Sequence, residues 1–235
     1  DFKSTIDNYQ GIAKTFHKNL HHRGPDAKGH YLSTSKNALL CHTRLSIIDT
    51  SDNANQPMES HDKRFQIIFN GEIYNYKELK DIVYQKYGIN TNSDTEILLY
   101  MYAEYGLECF EYISGMFSFA IWDNIKEEIV IARDQLGIKP LYYNFDDNKL
   151  SFCSELKALM KSKQFSYKLN YDAISSYLCS GYFKEPNTVI DNIYQLESGH
   201  YIVFNKNSFS KIDYTKNSII NNNQGMNKKE TLDKI

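Results

Sequence analysis

One stretch sets the terms for the whole chain. An apolar run, Phe65, Ile67, Ile68 and Phe69, breaks off into Asn70-Gly71-Glu72-Ile73-Tyr74-Asn75. Asn-Gly between two β-favouring runs is the strongest short-range signal for a hairpin turn, where Asn70 need only tolerate positive φ. The same dipeptide also suits an oxyanion site. Asn70 can offer a side-chain N–H, and Gly71 lets its backbone N–H approach a ligand with no Cβ in the way. On the dipeptide alone the turn is the stronger reading; the rest of the chain reverses that order.

At 235 residues the chain is long for one domain and short for two, and it can bury a sizeable core. Its 41% hydrophobic and 24% charged residues describe an ordinary globular protein. A net charge of −2 and a pI of 6.4 give no electrostatic footprint for nucleic acid or an anionic membrane. No stretch approaches the roughly 20 apolar residues of a membrane span, and Asp1 to Thr5 carries no apolar run of the signal-peptide kind. The start at Asp1, without an initiator Met, predicts a processed or partial chain. Cys41, Cys109, Cys153 and Cys179 are dispersed among apolar neighbours and lack C-x-x-C spacing. They predict buried, reduced thiols in a cytoplasmic protein, with neither a disulfide framework nor structural zinc.

Taken in order, Ser4 and Asp7 resemble a capping box ahead of a helix marked by Ile6, Tyr9, Ala13, Phe16 and Leu20. His17 and His21 sit four apart on it, but no third ligand accompanies them and no metal is expected. Extended segments at Tyr31–Ser33 and Leu39–His42 follow. Cys41 and His42 are adjacent on a strand and point to opposite faces, so they cannot form a nucleophile–base dyad. A helix with Leu79, Ile82, Val83 and Tyr87 on one side ends at Gly88. Ser93-Asp94-Thr95-Glu96 reads as a capping box opening a second helix, closed by Gly106, with Asp94 in its first turn. Hairpins are expected about Asn124 and about Asp146-Asp147-Asn148, then helices at Glu155–Lys161 and Tyr171–Cys179 and strands from Ile193 to Asn205. From about Ser208 Lys and Asn crowd in. The expected domain covers residues 1–214, with 215–235 as linker. Strand runs that do not alternate with helices argue for α+β layers over a Rossmann sheet.

The motifs His22-Arg23-Gly24-Pro25-Asp26, His42 to Asp49, Asn55 to Met58, Phe69 to Asn75, Ser93 to Glu96, Ala132 to Tyr143 and Ser154 to Leu159 form a specific set. In this order and spacing the chain resembles the N-terminal class II glutamine amidotransferase domain of glutamine-hydrolysing asparagine synthetases, out to about residue 205. The resemblance implies the N-terminal-nucleophile hydrolase fold, an αββα sandwich of two antiparallel sheets flanked by helices. It also implies roles. Arg44 would hold the carboxylate of glutamine, with Leu45, Ser46 and the backbone of Ile47 and Ile48 beside it. Glu72 and Asp94 would hold the ammonium end, and the Asn70 side chain and Gly71 N–H would stabilise the oxyanion. Arg133, Asp134, Lys139 and Pro140 are read as ordering a strand-to-loop bend or facing a partner domain, and Ser154 and Glu155 as helix caps.

In that family the nucleophile is an N-terminal Cys whose own α-amino group acts as base. None of the four cysteines here stands at an N-terminus, so the expectation is a short further segment, carrying the Cys, ahead of Asp1. The resemblance implies no cofactor and no metal in this domain; ATP and Mg are expected in a C-terminal synthetase domain beyond residue 235. The implied function is glutamine hydrolysis feeding ammonia to amidation of aspartate. The alternatives are a related enzyme amidating a sugar acid or other acceptor, and a non-catalytic glutamine-binding module. Homodimerisation stays open; nucleic-acid and membrane partners are not expected.

Overall fold

The computed structural model describes residue 2, residues 5–163 and residues 166–216. Ser4 of the expected capping box and the expected linker beyond Lys216 lie outside the described residues. In chain order the elements are α1 (Tyr9–Leu20), β1 (Ala27–Leu32), β2 (Leu39–Arg44), β3 (Met58–Glu59), β4 (Phe65–Ile73), α2 (Tyr76–Tyr87), α3 (Asp94–Tyr105), β5 (Gly115–Asp123) and β6 (Glu128–Arg133). They continue with β7 (Tyr142–Asp146), β8 (Lys149–Cys153), α4 (Leu156–Lys161), α5 (Tyr171–Ser180), β9 (Tyr194–Gln195), β10 (His200–Asn205) and β11 (Ser208–Asp213).

Period-2 alternation builds the layers. In the six-stranded antiparallel sheet β11-β10-β6-β5-β4-β3, Phe117, Phe119 and Ile121 of β5 face one way. They pack on Leu79 and Val83 of α2 and Leu98 and Met101 of α3. Ala120 and Trp122, Ile129 and Ile131, and Ile202 and Phe204 face the other way. There they meet Leu40, Leu141, Tyr143 and Leu196 from a second layer made of the β1-β2 pair and the β8-β7-β9 sheet. Beyond that layer, Phe16 and Leu20 of α1 and Ala158 and Leu159 of α4 close a third core over Cys153 and Ile193. The order helix, sheet, sheet, helix is the αββα sandwich of the N-terminal-nucleophile hydrolases, an α+β fold. Each large side chain enclosed between layers contributes about 1.5–3 kcal/mol.

Several local expectations change. The hairpin reading of Asn70-Gly71 is wrong: β4 runs through the dipeptide, pairing Asn70 with Ser118 and Gly71 with Phe117 of β5. What Gly71 supplies is close approach, since a Cβ there would lie 2.2 Å from the Met116 carbonyl oxygen. The N-cap of α1 is Asn8, whose side chain accepts from Gly11 N–H. Ile82 of α2 is exposed, leaving Leu79 and Val83 to hold the helix. Helix α3 is buried all round from Asp94 to Tyr102, as a core helix flanked by several elements must be. Cys109 and Cys153 are buried as expected, but Cys41 is half-buried and Cys179 is exposed on α5, where only Ala173 is buried. Ser208–Asp213 is an edge strand on β10; an edge strand needs hydrogen bonds on one side only, so a polar sequence suffices. The Asp147-Asn148 turn has both φ values positive, 49° and 62°, as a two-residue hairpin loop demands. Asp134 orders the bend after β6 by accepting from the N–H groups of Leu136, Ile138 and Lys139, while Arg133 donates to the carbonyls of Gly137, Lys139 and Leu196. Among the described residues, no helix is long and apolar enough to cross a membrane.

Candidate active site

The site begins at an interrupted strand edge. Strand β3 is two residues long and pairs only with Ile67 and Gln66, so from Phe69 onward β4 has no backbone neighbour on that side among the described residues. In an antiparallel ladder alternate residues send N–H and C=O to the same neighbour. Tyr74 N–H reaches Ser114 next to β5, so the even-numbered residues serve β5 and the odd-numbered ones face the open edge. Side chains answer most of them. Phe69 N–H donates to Gln56 Oε1 at 2.6 Å, His42 Nε2–H donates to the Phe69 carbonyl at 3.1 Å, and Ile73 N–H donates to Asp94 Oδ2 at 2.9 Å. Gly71, between them, sends its N–H the same way, and no acceptor among the described residues meets it. The adjacent Asn70 Nδ2 is buried and also has no partner among the described residues. An unmet buried donor costs about 1–3 kcal/mol, so Asn70 Nδ2, beside the N–H of the half-buried Gly71, suits an acceptor that comes and goes.

On β2, Leu40, His42 and Arg44 share the inward face. Arg44 is buried, and its Nη1 donates to the Ser51 carbonyl (2.7 Å) and Asn55 Oδ1 (2.9 Å), while Nη2 donates to the Asp49 carbonyl. These bonds use three of the five guanidinium N–H groups. The cation therefore also shapes the 49–55 loop. Asp49 ties that loop to the start of α3, accepting from Asn92 N–H at 2.8 Å. Asp26 accepts from Ser46 N–H at 2.8 Å, so the Arg23-to-Asp26 turn holds the 45–48 segment. Ile47 remains 76% exposed at the mouth. Glu155 forms no cap bond on α4 and instead pairs with His22 (2.7 Å) and Arg23 (3.5 Å) of that turn.

Asp94 is placed by the N-terminus of α3. Ser93 caps the helix through Thr95 N–H, but Glu96 does not complete the box: it accepts from Asn90 and Thr91 N–H in the preceding loop. Asp94 is 4% exposed, and burial pushes its carboxyl above the ordinary range. The N–H groups of Ile73 and Thr95 work against that rise, and the charge of Glu72 adds to it. A cation beside Asp94 would offset both effects.

One cleft of about 900 Å³ brings together Arg44, Leu45, Ile47, Ile48, Asn70, Gly71 and Asp94. It does not include Ser46 or Glu72. Glu72 follows Asn70 by two on the same face of β4, but near the end of the strand, where nothing covers it, and it is exposed. The cleft runs on between the edges of β2 and β8 that no described residue pairs with, past Cys41, Ile68, Trp122 and Cys153. Burial pushes the Cys41 thiol up to about 12 and Cys153 to about 11, so neither supplies a thiolate. His42 makes no bond to Cys41; burial lowers its pKa to about 4, leaving it neutral. Sequence reasoning passed over His42 and Gln56 as contributors. The signal was available for His42, which shares a strand face with Arg44.

Residues 3–215 match the glutamine amidotransferase domain family. The chain belongs to that family. The amidotransferase domain is 38% identical to Bacillus subtilis asparagine synthetase [glutamine-hydrolyzing] 1 over 189 residues, 80% of this chain and 29% of that protein. It is 43% identical to Escherichia coli asparagine synthetase B [glutamine-hydrolyzing] over 142 residues, 60% of this chain and 25% of that protein. The domain thus spans between a quarter and a third of the length of these two relatives. It also superposes on the solved B. subtilis glutamine phosphoribosylpyrophosphate amidotransferase complexed with ADP and GMP, with a TM-score of 0.66 and 17% identity, over 91% of this chain and 48% of that one. That likeness concerns the fold alone.

Proposed function

We propose that this domain hydrolyses free glutamine to glutamate and ammonia, and that the ammonia serves ATP-dependent amidation of aspartate by a further domain of a longer protein. The observation that carries the reading is the pair of unanswered donors, Asn70 Nδ2 and Gly71 N–H, in one cleft with a buried guanidinium and a buried acid. Free glutamine presents the complementary groups. Its carboxylate suits the two uncommitted N–H groups of Arg44. Its ammonium suits Asp94, with Glu72 contributing charge from outside the cleft. The carboxamide then lies against Asn70 and Gly71. A thiol carried on a strand ahead of Asp1 would enter along these edges of β2 and β8. It gives its proton to its own α-amine and attacks the carboxamide carbon, and the negative oxygen is held by the two donors. The C–N bond breaks as nitrogen takes a proton and leaves as ammonia, and water then cleaves the thioester to give glutamate. ATP and Mg would act in the further domain.

The test is ammonia release from glutamine by the full-length protein, with and without aspartate and ATP. Asparagine formed from glutamine is the expected product. Asn70→Ala is expected to lower kcat by about 10²–10³ with a much smaller change in KM. If the full-length protein neither binds nor hydrolyses glutamine, the reading fails. If it hydrolyses glutamine but amidates another acceptor, only the aspartate assignment falls.

A further inference from the structure

We propose that His42, together with Gln56, is a positioning residue for the oxyanion donors, acting through the Phe69 peptide and not on the substrate. The inference rests on the glutaminase reading. The donors on β4 are useful only if the strand is held still where it has no backbone neighbour, and β3 stops short at Ile67. Phe69, immediately before Asn70, is the residue that needs holding. Two side chains replace the absent strand there: Gln56 Oε1 takes its N–H at 2.6 Å, and His42 Nε2–H serves its carbonyl at 3.1 Å. The two clamps come from different elements. His42 stands on β2 beside Arg44, and Gln56, itself buried, is braced by donating its Nε2–H to Thr95 Oγ1 on α3. The clip therefore joins the guanidinium strand, the donor strand and the acid-bearing helix at one peptide.

The tautomer follows from the partner. A carbonyl only accepts, so Nε2 carries the proton and Nδ1 is a bare acceptor. That Nδ1 is buried and has no partner among the described residues, which is what a ring held for its other nitrogen leaves behind. Burial, then the charges of Arg44 and His17, disfavour the imidazolium, while the Phe69 carbonyl favours it. A neutral ring keeps the clamp unchanged through the reaction.

The test uses the full-length protein. His42→Leu fills the space without a donor, and His42→Gln returns an amide N–H near the position of Nε2. Expected is a loss in kcat for glutamine hydrolysis of at least about tenfold in His42→Leu with KM within about twofold. His42→Gln is expected within about threefold of wild type in kcat. Unchanged kcat in His42→Leu, equal losses in both variants, or a parallel fall in affinity overturns the proposal. Should His42→Leu not fold, ¹⁵N-histidine spectra of the wild type decide. They are expected to show Nε2–H with unprotonated Nδ1 from pH 8 to about pH 5.5; an Nδ1–H tautomer or an imidazolium in that range overturns it. A wild type without glutaminase activity refutes the proposed function instead, and the spectra then still read the His42 clamp by itself.

Discussion

Asp94 is held in its charged form at an energetic disadvantage. Burial raises its carboxyl above the ordinary range, so the folded state binds a proton more readily than the unfolded chain. Stability therefore falls as pH rises through the window from the ordinary carboxylate range to the raised value. Asp94→Asn keeps an oxygen for Ile73 N–H and removes the charge. The variant should be at least as stable as wild type at pH 7 and should lose that part of the pH dependence, while glutamine affinity falls; denaturant midpoints across pH and calorimetric titration measure both. A variant less stable than wild type at pH 7 would contradict the account. Arg44 is different in kind. Its bonds to Asp49, Ser51 and Asn55 mean that Arg44→Ala strips the 49–55 loop as well as the proposed carboxylate site. A loss of ~2–4 kcal/mol in urea unfolding is expected alongside lost binding. Binding lost with full stability kept would show that the loop does not depend on the guanidinium.

At the scale of elements, β4 carries both proposed oxyanion donors. Its apolar residues were legible from composition and alternation; Asn70 and Gly71 were singled out once the neighbouring motifs were read together, and both line one cleft with Arg44 and Asp94. What local sequence could not supply was the length of the neighbouring strand. That β3 stops at two residues, and so leaves Gly71 N–H unanswered, is a long-range pairing fact. The same ignorance made Asn-Gly look like a turn and hid Gln56, whose job exists only because Phe69 faces an empty edge. Asp94 was readable as a first-turn acid; its contact with Ile73 across the helix–strand boundary was not. Arg44 was singled out as a ligand cation but not as the organiser of its own loop, because two of its three acceptors are backbone carbonyls, which carry no residue-type signal. The strand also predicts an intolerant position. Gly71→Ala would place a methyl 2.2 Å from the Met116 oxygen and must push β4 and β5 apart. Destabilisation of at least ~2 kcal/mol by denaturant titration is expected, with turnover lost in whatever still folds. An unperturbed midpoint would show that the two backbones are not so close.

Over the whole molecule, the two sheets share an interior that the chain's single tryptophan reports. Trp122 is buried between the layers, and its Nε1–H donates to Asn124 Oδ1, which also accepts from Tyr31 O–H on β1 in the opposite layer. Next to it, Asp123 is gripped by Arg64 through Nε (3.1 Å) and Nη2 (2.7 Å). Burial works to raise the Asp123 carboxyl, but the Arg64 guanidinium and the N–H groups of Lys126 and Ile125 outweigh it and hold it below the ordinary range. The sign is thus opposite to that of Asp94. Its stabilisation is full above the ordinary carboxylate range and disappears as pH falls through the depressed folded value. Asp123→Asn should be destabilised by about 1–3 kcal/mol at pH 7, with the gap to wild type closing on acidification. Trp122 fluorescence against urea at a series of pH values measures the gap. A difference that stays constant from pH 7 down to pH 2 would mean that packing, and not the ion pair, fastens this corner of the sandwich.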